Sequence, residues 1–248
     1  MKARRIEGVV ALVTGANRGI GRALTEALLK RGAGKIYAAA RDPRALRDLR
    51  DARVVPLRLD VTDADQIRAV AESVSDVELV FSNAGVAFVH SFADEGAIEY
   101  ARREMEVNYF GPLQLAQRLA PTLAKNGGGA VINVASVAGL TSVPFLPTYS
   151  ASKAALHSLT QAERALLGAQ GTSVFGVYPG PVDTDMSRDA PFAKTPPRDV
   201  AFAILDGIEA GEPDIFPDPY AVDFAREFEA SPKASERRSA AMVSITAV

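Results

Sequence analysis

The order of elements near the start of the chain constrains the fold most. A short apolar run from Val9 to Val13 is followed by the glycine-rich segment Thr14 to Gly21, and an amphipathic helical pattern then runs from Arg22 to Lys30. Its glycines, spaced Gly-x-x-x-Gly-x-Gly, permit positive φ and close approach to the backbone. N–H groups at a helix start, together with the helix dipole, favour phosphate charges. This strand–turn–helix unit predicts a nucleotide-binding α/β domain, and a glycine-rich turn without a ligand is the alternative.

Short apolar runs alternate with amphipathic segments along the rest of the chain. This alternation is typical of βαβ units and a parallel sheet. We expect a single-domain Rossmann fold, in which helices flank a doubly wound seven-stranded parallel sheet; another doubly wound nucleotide-binding domain is the alternative. The expected strands are 9–13, 35–40, 53–59, 77–82, 130–134, 173–178 and 214–216, and the expected helices are 19–31, 43–50, 63–75, 96–125, 147–169 and 197–210.

One domain over 1–248 is expected, with a core at about 8–217. The stretch from Met186 to Pro197 holds three prolines and few periodic apolar residues, which predicts a mobile loop near the substrate. Residues 218–248 are expected to form a partly flexible C-terminal extension, with a short helix from Tyr220 to Phe228 before a loosely ordered tail.

Composition excludes several classes of function. The net charge of the 248 residues is −2 and no basic run is present, which argues against nucleic acid as a partner. The chain has no cysteine and only two histidines, so thiol chemistry is excluded and a metal site is not expected. The N-terminal residues lack the apolar region of a secretory signal, and no apolar stretch reaches membrane-spanning length. We therefore expect a cytoplasmic protein with no membrane partner.

Tyr149 and Lys153 are four residues apart in an expected helix, so they share one face of it. A Lys⁺ at ~5 Å from the phenol, with an effective dielectric of ~20, favours the phenolate by about 3 kcal/mol. We therefore expect Lys153 to lower the pKa of Tyr149 towards the range of efficient proton transfer. A chance pair on an exposed helix face is the alternative.

Short polar and glycine-containing motifs occur after several of the later strands and within the two long expected helices. They are Asp60-Val61-Thr62, Asn83-Ala84-Gly85, Asn108, Ser136, Tyr149 with Lys153, and Pro179-Gly180 followed by Val182-Asp183-Thr184. In this order, and with the glycine turn before them, they make the chain resemble the short-chain dehydrogenase/reductase (SDR) family over roughly residues 8 to 217. The resemblance implies an oxidoreductase that interconverts a carbonyl and an alcohol by hydride transfer with a nicotinamide cofactor.

The resemblance also implies the roles of the catalytic residues. Tyr149 would be the general acid/base, Lys153 would assist it and bind the nicotinamide ribose, and Ser136 would bind the carbonyl oxygen. Asn108 would hold a water that links Lys153 to solvent; a helix kink satisfied by its own amide is the alternative. The resemblance also implies C=O rather than C=C chemistry, because enoyl reductases of this superfamily have a longer tyrosine–lysine spacing than the three intervening residues found here.

The end of the second strand favours NADP(H) over NAD(H). NAD-preferring relatives place a carboxylate here for the ribose 2′-hydroxyl, but this chain has Ala40 followed by Arg41. A guanidinium suits a 2′-phosphate, and Arg18 is a second candidate; Asp42 is expected to cap the next helix. The expected cofactor-binding residues are Gly15, Asn17, Arg18, Gly19, Ile20, Gly21, Arg41, Asp60, Val61, Asn83, Ala84, Gly85, Tyr149, Lys153, Pro179, Gly180, Val182 and Thr184.

The substrate is less constrained. The segments expected to line the pocket carry Phe88, Val137, Phe145 and Met186, which favours an apolar ketone, aldehyde or alcohol. Reduction of 3-oxoacyl groups on an acyl carrier protein and a non-catalytic NADP(H) sensor are the alternatives. The resemblance also implies a homo-oligomer, a tetramer rather than a dimer, built on the two long helices.

Overall fold

Seven parallel strands form one sheet in the order β3-β2-β1-β4-β5-β6-β7. The computed structural model describes residues 1–189 and 192–242. This sheet, flanked by helices, confirms the expected doubly wound Rossmann fold. The strands are β1 (Val10–Thr14), β2 (Lys35–Ala40), β3 (Val54–Arg58), β4 (Leu79–Ser82), β5 (Ala130–Val134), β6 (Ser173–Val177) and β7 (Asp214–Ile215).

Side chains of alternate residues in each strand enter two different cores. In β1, Ala11 and Val13 belong to the core under helices α1 (Gly19–Lys30) and α6 (Pro197–Ala210), whereas Leu12 belongs to the core under α2 (Ala64–Ser73) and α4 (Gly111–Lys125). This is the pattern of strands buried on both faces. The helices are α1 (Gly19–Lys30), α2 (Ala64–Ser73), α3 (Ala97–Met105), α4 (Gly111–Lys125), α5 (Pro147–Gly168), α6 (Pro197–Ala210), α7 (Pro219–Ala230) and α8 (Pro232–Ala240).

The helix expected at 43–50 is wrong. Only one 3₁₀ turn, Pro43–Leu46, forms there. Asp42 caps it as expected, because its carboxylate accepts a hydrogen bond of 3.0 Å from Arg44 N. Leu46 is the one buried residue of the turn, so an α-helix would have little apolar surface to bury before the chain enters β3.

The long helix expected at 96–125 is divided. Between α3 and α4, residues Glu106–Phe110 form a π-helical segment. Pro112 follows this segment in the first turn of α4, and because it has no N–H it cannot donate the backbone hydrogen bond to residue 108 that an α-helix requires. Gly111 allows close packing there, since a Cβ on it would lie 3.0 Å from Val61 Cβ. The interruption therefore has a local cause in the sequence.

The C-terminal extension is more ordered than expected. The short helix expected at 220–228 is present as α7, but the following residues, expected to be loosely ordered, form α8. Ser231 caps α8 by accepting a hydrogen bond of 3.2 Å from Ala234 N. Residues 190–191 of the loop expected to be mobile, and residues 243–248 of the extension, lie outside the described residues. No helix in the described ranges is both long and apolar enough to cross a membrane.

Candidate active site

A cavity of about 610 Å³ lies at the carboxyl ends of the strands. Loops that follow β1 to β6 line it, as expected for an open parallel sheet. Most of the sequence-predicted site residues meet here, although they are far apart in the chain. Gly21, Asn108 and Phe88 are not among the described residues that line the cavity.

The glycine turn lies at one end of the cavity. Gly15 and Gly19 have φ of 66° and 54°, which an L side chain rarely adopts. Gly21 lies behind the turn, where a Cβ would be 2.3 Å from Gly15 O and 2.4 Å from Asn83 Nδ2. Arg18, at the N-terminus of α1, makes no capping side-chain hydrogen bond within the described residues, so the first amides of α1 remain available to an anion.

Two polar side chains join β1 to β4 below this turn. Thr14 Oγ1 accepts hydrogen bonds of 2.9 Å from Asn83 N and 3.0 Å from Ala84 N. In return, Asn83 Nδ2 donates a hydrogen bond of 2.8 Å to Thr14 O. These hydrogen bonds tie the neighbouring strands β1 and β4 together at the cavity.

Three arginines line the cavity beyond the ends of β1 and β2. Arg18 contacts Asp185, with 3.3 Å between Nη1 and Oδ2, whereas Arg41 forms no salt bridge with any described residue. Arg103, which was not among the expected cofactor-binding residues, enters from α3 and likewise has no salt-bridge partner in the described part of the chain. Because α3 follows a different strand, no local spacing connects Arg103 with Arg41.

Asp60 lines the same cavity and feels the charges of Arg41 and Arg103. Its Oδ1 accepts hydrogen bonds of 3.0 Å from Thr62 N and 2.8 Å from Thr62 Oγ1, while Asp63 caps α2. Burial opposes ionisation of Asp60, but the Thr62 hydrogen bonds and the charges of Arg103 and Arg41 outweigh it and lower the pKa of Asp60. The carboxylate therefore stays charged beside the arginines.

Tyr149, Ser136 and Lys153 line the middle of the cavity. Lys153 is only 4% exposed; its Nζ donates a hydrogen bond of 2.7 Å to Val134 O and lies 5.7 Å from the centre of the Tyr149 ring. The Ser136 hydroxyl accepts a hydrogen bond of 3.1 Å from Ala138 N, which fixes the turn after β5. Helix α5 and strand β5 thus bring the three side chains together.

Electrostatics at Tyr149 differ from the expectation. Burial raises the pKa of Tyr149 to about 12, although a hydrogen bond with Ser136 acts in the opposite direction. Burial also lowers the pKa of Lys153 to about 8. The ammonium donates to the Val134 carbonyl rather than to the phenol, so its charge does not outweigh the desolvation of Tyr149. The phenol therefore holds its proton at neutral pH.

Asn108 lies in the π-helical segment and is fully buried. Its Nδ2 donates hydrogen bonds of 2.9 Å to Val86 O and 2.9 Å to Ser152 Oγ, and its Oδ1 accepts one of 2.9 Å from Val86 N. A Cβ on Gly85 would lie 3.2 Å from Asn108 Oδ1 and 3.7 Å from Lys153 Nζ. Asn108 therefore lies close to Lys153 and holds the segment after β4 in place.

Apolar side chains line the other end of the cavity. Val137, Phe145 and Met186 are there as expected. Phe88 instead stacks on Tyr100, with 4.8 Å between the ring centroids. Val89 and Phe192, which belong to segments expected to line the pocket, are there too. Two lining residues from the C-terminal extension, Tyr220 and Met242, were not expected from the sequence.

Asp218 is another residue whose role was not expected from the sequence. It is 3% exposed and accepts hydrogen bonds of 2.8 Å from Gly180 N and 2.9 Å from Ala221 N. It thus caps α7 and also holds the loop after β6 at the cavity. The dipeptide Asp218-Pro219 signals a helix cap, as Asp42-Pro43 does, but the contact with Gly180 has no signal in the sequence.

Comparisons with known proteins agree with this arrangement. The family model for short chain dehydrogenases matches residues 9–194, and an uncharacterized oxidoreductase of Staphylococcus saprophyticus is 30% identical over 218 residues, covering 82% of this chain and 92% of that protein. The chain therefore belongs to the short-chain dehydrogenase family and is an oxidoreductase of that family.

Solved structures share the fold over nearly the whole chain. A short chain dehydrogenase from Burkholderia cenocepacia, in complex with NADP, has a TM-score of 0.91 and 40% identity, covering 95% of this chain and 99% of its own. One from Burkholderia phymatum, in complex with NAD, has a TM-score of 0.82 and 26% identity, covering 93% and 96%. Relatives of this chain thus bind either nicotinamide cofactor.

Proposed function

We propose that this protein is an NADP(H)-dependent oxidoreductase that interconverts an apolar ketone or aldehyde and the corresponding alcohol, with Tyr149 as general acid/base. One observation carries the proposal: the Tyr149, Ser136 and Lys153 side chains line the same cavity as the glycine turn. A dinucleotide and a small carbonyl compound could therefore meet at Tyr149.

The residues present fit a nicotinamide dinucleotide. Gly15 and Gly19 adopt the positive φ that lets the turn bring its backbone close to a dinucleotide, and the uncapped first turn of α1 offers N–H groups to a pyrophosphate. Val182 and Thr184 line the same cavity, and in this proposal the Val182 backbone and the Thr184 hydroxyl bind the carboxamide of the nicotinamide. When bound, the cofactor supplies or accepts the hydride, and the protein supplies orientation and the proton.

Tyr149 provides the proton in the reductive direction. A phenol whose pKa is raised to about 12 is protonated at neutral pH, and it donates as negative charge develops on the substrate oxygen. The Ser136 hydroxyl stabilises that charge. Lys153, with a pKa near 8, can pass a proton towards Tyr149, and Asn108 holds the segment beside Lys153 in place.

Charges at the adenosine end favour NADP(H). Position 40 is an alanine rather than an acidic residue. The carboxylate of Asp42 accepts a hydrogen bond from Arg44, with 2.9 Å between Arg44 Nε and Asp42 Oδ1. Arg41 is therefore available for a 2′-phosphate, together with Arg18. The 40% identical relative bound to NADP supports this preference.

The apolar end of the cavity favours an apolar substrate. Phe145 and Phe192 stack with 6.1 Å between their ring centroids, and Met186 lies on the same wall. These side chains offer contact area rather than charge to the part of the substrate beyond its carbonyl.

We also propose a homo-oligomer, a tetramer rather than a dimer. Leu166 on α5 is 74% exposed, and Phe110 beside α4 is 39% exposed, so both long helices leave apolar surface uncovered. Sedimentation as a monomer at micromolar concentration would contradict this.

NADPH oxidation by the purified protein tests the proposed function. We would measure it with apolar ketones, aldehydes and acyl thioesters, with NADH in parallel and with Tyr149→Phe as the variant. We expect turnover with NADPH that is lost in Tyr149→Phe, because the phenylalanine keeps the ring but has no proton to donate.

Undiminished turnover in Tyr149→Phe would overturn the role of Tyr149, and equal use of NADH would overturn the cofactor preference. A higher rate with acyl thioesters would favour 3-oxoacyl reduction. Tight NADPH binding without turnover on any substrate would favour the sensor.

A further inference from the structure

A buried polar cluster lies next to Tyr149 but outside the lining of the cavity. Glu104, in α3, is fully buried, and its Oε1 accepts a hydrogen bond of 2.9 Å from Phe88 N. Its Oε2 is buried with no hydrogen-bond partner of good geometry among the described residues. Burial raises the pKa of Glu104, and a hydrogen bond with the Thr148 hydroxyl offsets part of this rise. A carboxyl group is thus enclosed behind the wall of the site.

His90 continues this cluster on the other side of Thr148. It is 7% exposed, and its Nε2 lies 2.7 Å from Thr148 Oγ1. Its Nδ1 lies 2.8 Å from Ser91 O, and because a carbonyl can only accept, Nδ1 must carry a proton. The protons that remain to be placed are therefore those on His90 Nε2, Thr148 Oγ1 and the Glu104 carboxyl group.

Counting donors and acceptors limits the arrangements of these protons. If His90 is neutral, Nε2 accepts from the Thr148 hydroxyl, and Glu104 Oε2 finds a partner only if it is protonated and donates to Thr148 Oγ1. If His90 is charged, Nε2 donates to Thr148, whose hydroxyl donates to the Glu104 carboxylate. With one proton fewer, one buried acceptor is left unsatisfied. The hydrogen-bonding groups of Glu104, Thr148 and His90 are therefore best satisfied when the three residues share one proton.

We propose that Glu104, Thr148 and His90 form a buried relay that shares one proton and sets the charge beside Tyr149, which makes them positioning residues for the proposed proton transfer. The two forms interconvert when the Glu104 proton moves to Thr148 Oγ1 and the Thr148 proton moves to His90 Nε2. Two O–H bonds break, one O–H and one N–H bond form, and the net charge of the cluster is unchanged.

The position of this proton reaches Tyr149 through charge. A Glu104 carboxylate raises the pKa of Tyr149, in addition to the larger effect of burial. Moving the proton onto Glu104 removes that negative charge and makes Tyr149 a stronger acid. Among the described residues, His90 and Tyr149 are the titratable groups electrostatically coupled to Glu104. The effect on catalysis rests on the proposed function, but the shared proton does not.

Nitrogen NMR of the histidines tests the relay directly, since the chain has only His90 and His157. With ¹⁵N-labelled histidine and His157→Gln for assignment, we expect the His90 Nε2 signal of the unmodified chain to lie between those of protonated and unprotonated nitrogen. Thr148→Val should remove this intermediate signal and Thr148→Ser should retain it. His90 signals that are identical in the unmodified chain, Thr148→Val and Glu104→Gln would overturn the relay.

The pH profile of carbonyl reduction tests the coupling to Tyr149. Glu104→Gln keeps the shape of the side chain but removes the carboxylate that raises the pKa of Tyr149. The pH at which kcat/KM begins to fall on the alkaline side should therefore be lower by about half a pH unit or more. Glu106→Gln, an exposed carboxylate nearby, should leave the profile unchanged. An unchanged profile in Glu104→Gln would overturn the coupling. If no substrate is turned over, the proposed function fails, while the NMR result still decides the relay.

Discussion

The carboxyl group of Glu163 should make the stability of this protein fall as pH rises. Glu163 lies on α5, is 6% exposed, and its Oε2 accepts a hydrogen bond of 2.7 Å from Asn133 Nδ2 on β5. Its Oε1 and the Asn133 Oδ1 are both buried without a partner among the described residues. Burial raises the pKa of Glu163 from 4.5 to about 7, and the Asn133 hydrogen bond offsets only part of this rise.

The magnitude follows from this shift. The native protein holds the Glu163 proton over a pH range in which the unfolded chain has released it, so the free energy of unfolding falls as pH rises from 4.5 to about 7. At 1.36 kcal/mol per pKa unit, the full loss is about 3 kcal/mol. Below this window the group contributes no pH dependence, and above it the loss is complete.

Glu163→Gln should remove this loss, because the amide is neutral at every pH and can still accept from Asn133. The variant should gain about 2 to 3 kcal/mol of stability relative to the unmodified chain between pH 5 and pH 8. Denaturant midpoints at several pH values and one protein concentration would measure it. Glu72→Gln, at an exposed carboxylate on α2, is the control. An equal difference at pH 5 and pH 8 would refute the argument that native Glu163 keeps its proton.

Three further predictions concern the cavity. Gly21→Ala places a Cβ 2.3 Å from Gly15 O, so it should deform the turn, lower the thermal midpoint and abolish binding of 2′,5′-ADP in calorimetry. Arg103→Ala removes a guanidinium that lines the cavity and should weaken 2′,5′-ADP binding about tenfold. Arg102→Ala, at an exposed neighbouring residue, should not weaken this binding. Equal effects of the two variants would contradict the placement of Arg103 at the cavity. Asp218→Asn should cost about 1 to 3 kcal/mol in denaturant unfolding and expose the loop after β6 to proteolysis, because an amide cannot accept both backbone hydrogen bonds.

The fold could be predicted from the sequence because its signals are local. An apolar run such as Val9 to Val13 marks a strand, and the glycine spacing marks the turn after it. N-cap residues such as Asp42 and Asp218 mark the first residues of helical segments. Helix length was harder to predict where the signal came from one residue, as at Leu46, whose single buried side chain supports a 3₁₀ turn but no α-helix.

The site could be predicted where its residues follow the ends of strands. Parallel strands end at one edge of the sheet, so Asn83, Ser136 and Gly180 were expected to meet, and they line one cavity. Arg103 and Tyr220 enter the same cavity from helices, where neither spacing nor hydropathy shows which way a polar or aromatic side chain points.

The direction of the pKa shift at Tyr149 shows why the protonation state of a side chain cannot be deduced from residue spacing alone. Spacing correctly places Lys153 near Tyr149, but the pKa also depends on how much water each group loses and on which acceptor the ammonium meets. Here burial dominates for both groups, and Val134 O takes the ammonium hydrogen bond. A Tyr149 that keeps its proton is suited to donate it to a carbonyl oxygen, whereas a phenolate would be suited to accept one from an alcohol. Under the proposed function, a protonated Tyr149 favours carbonyl reduction at neutral pH. A kcat for alcohol oxidation that rises with pH, while the kcat for carbonyl reduction stays level between pH 6 and 8, would agree with this proposal.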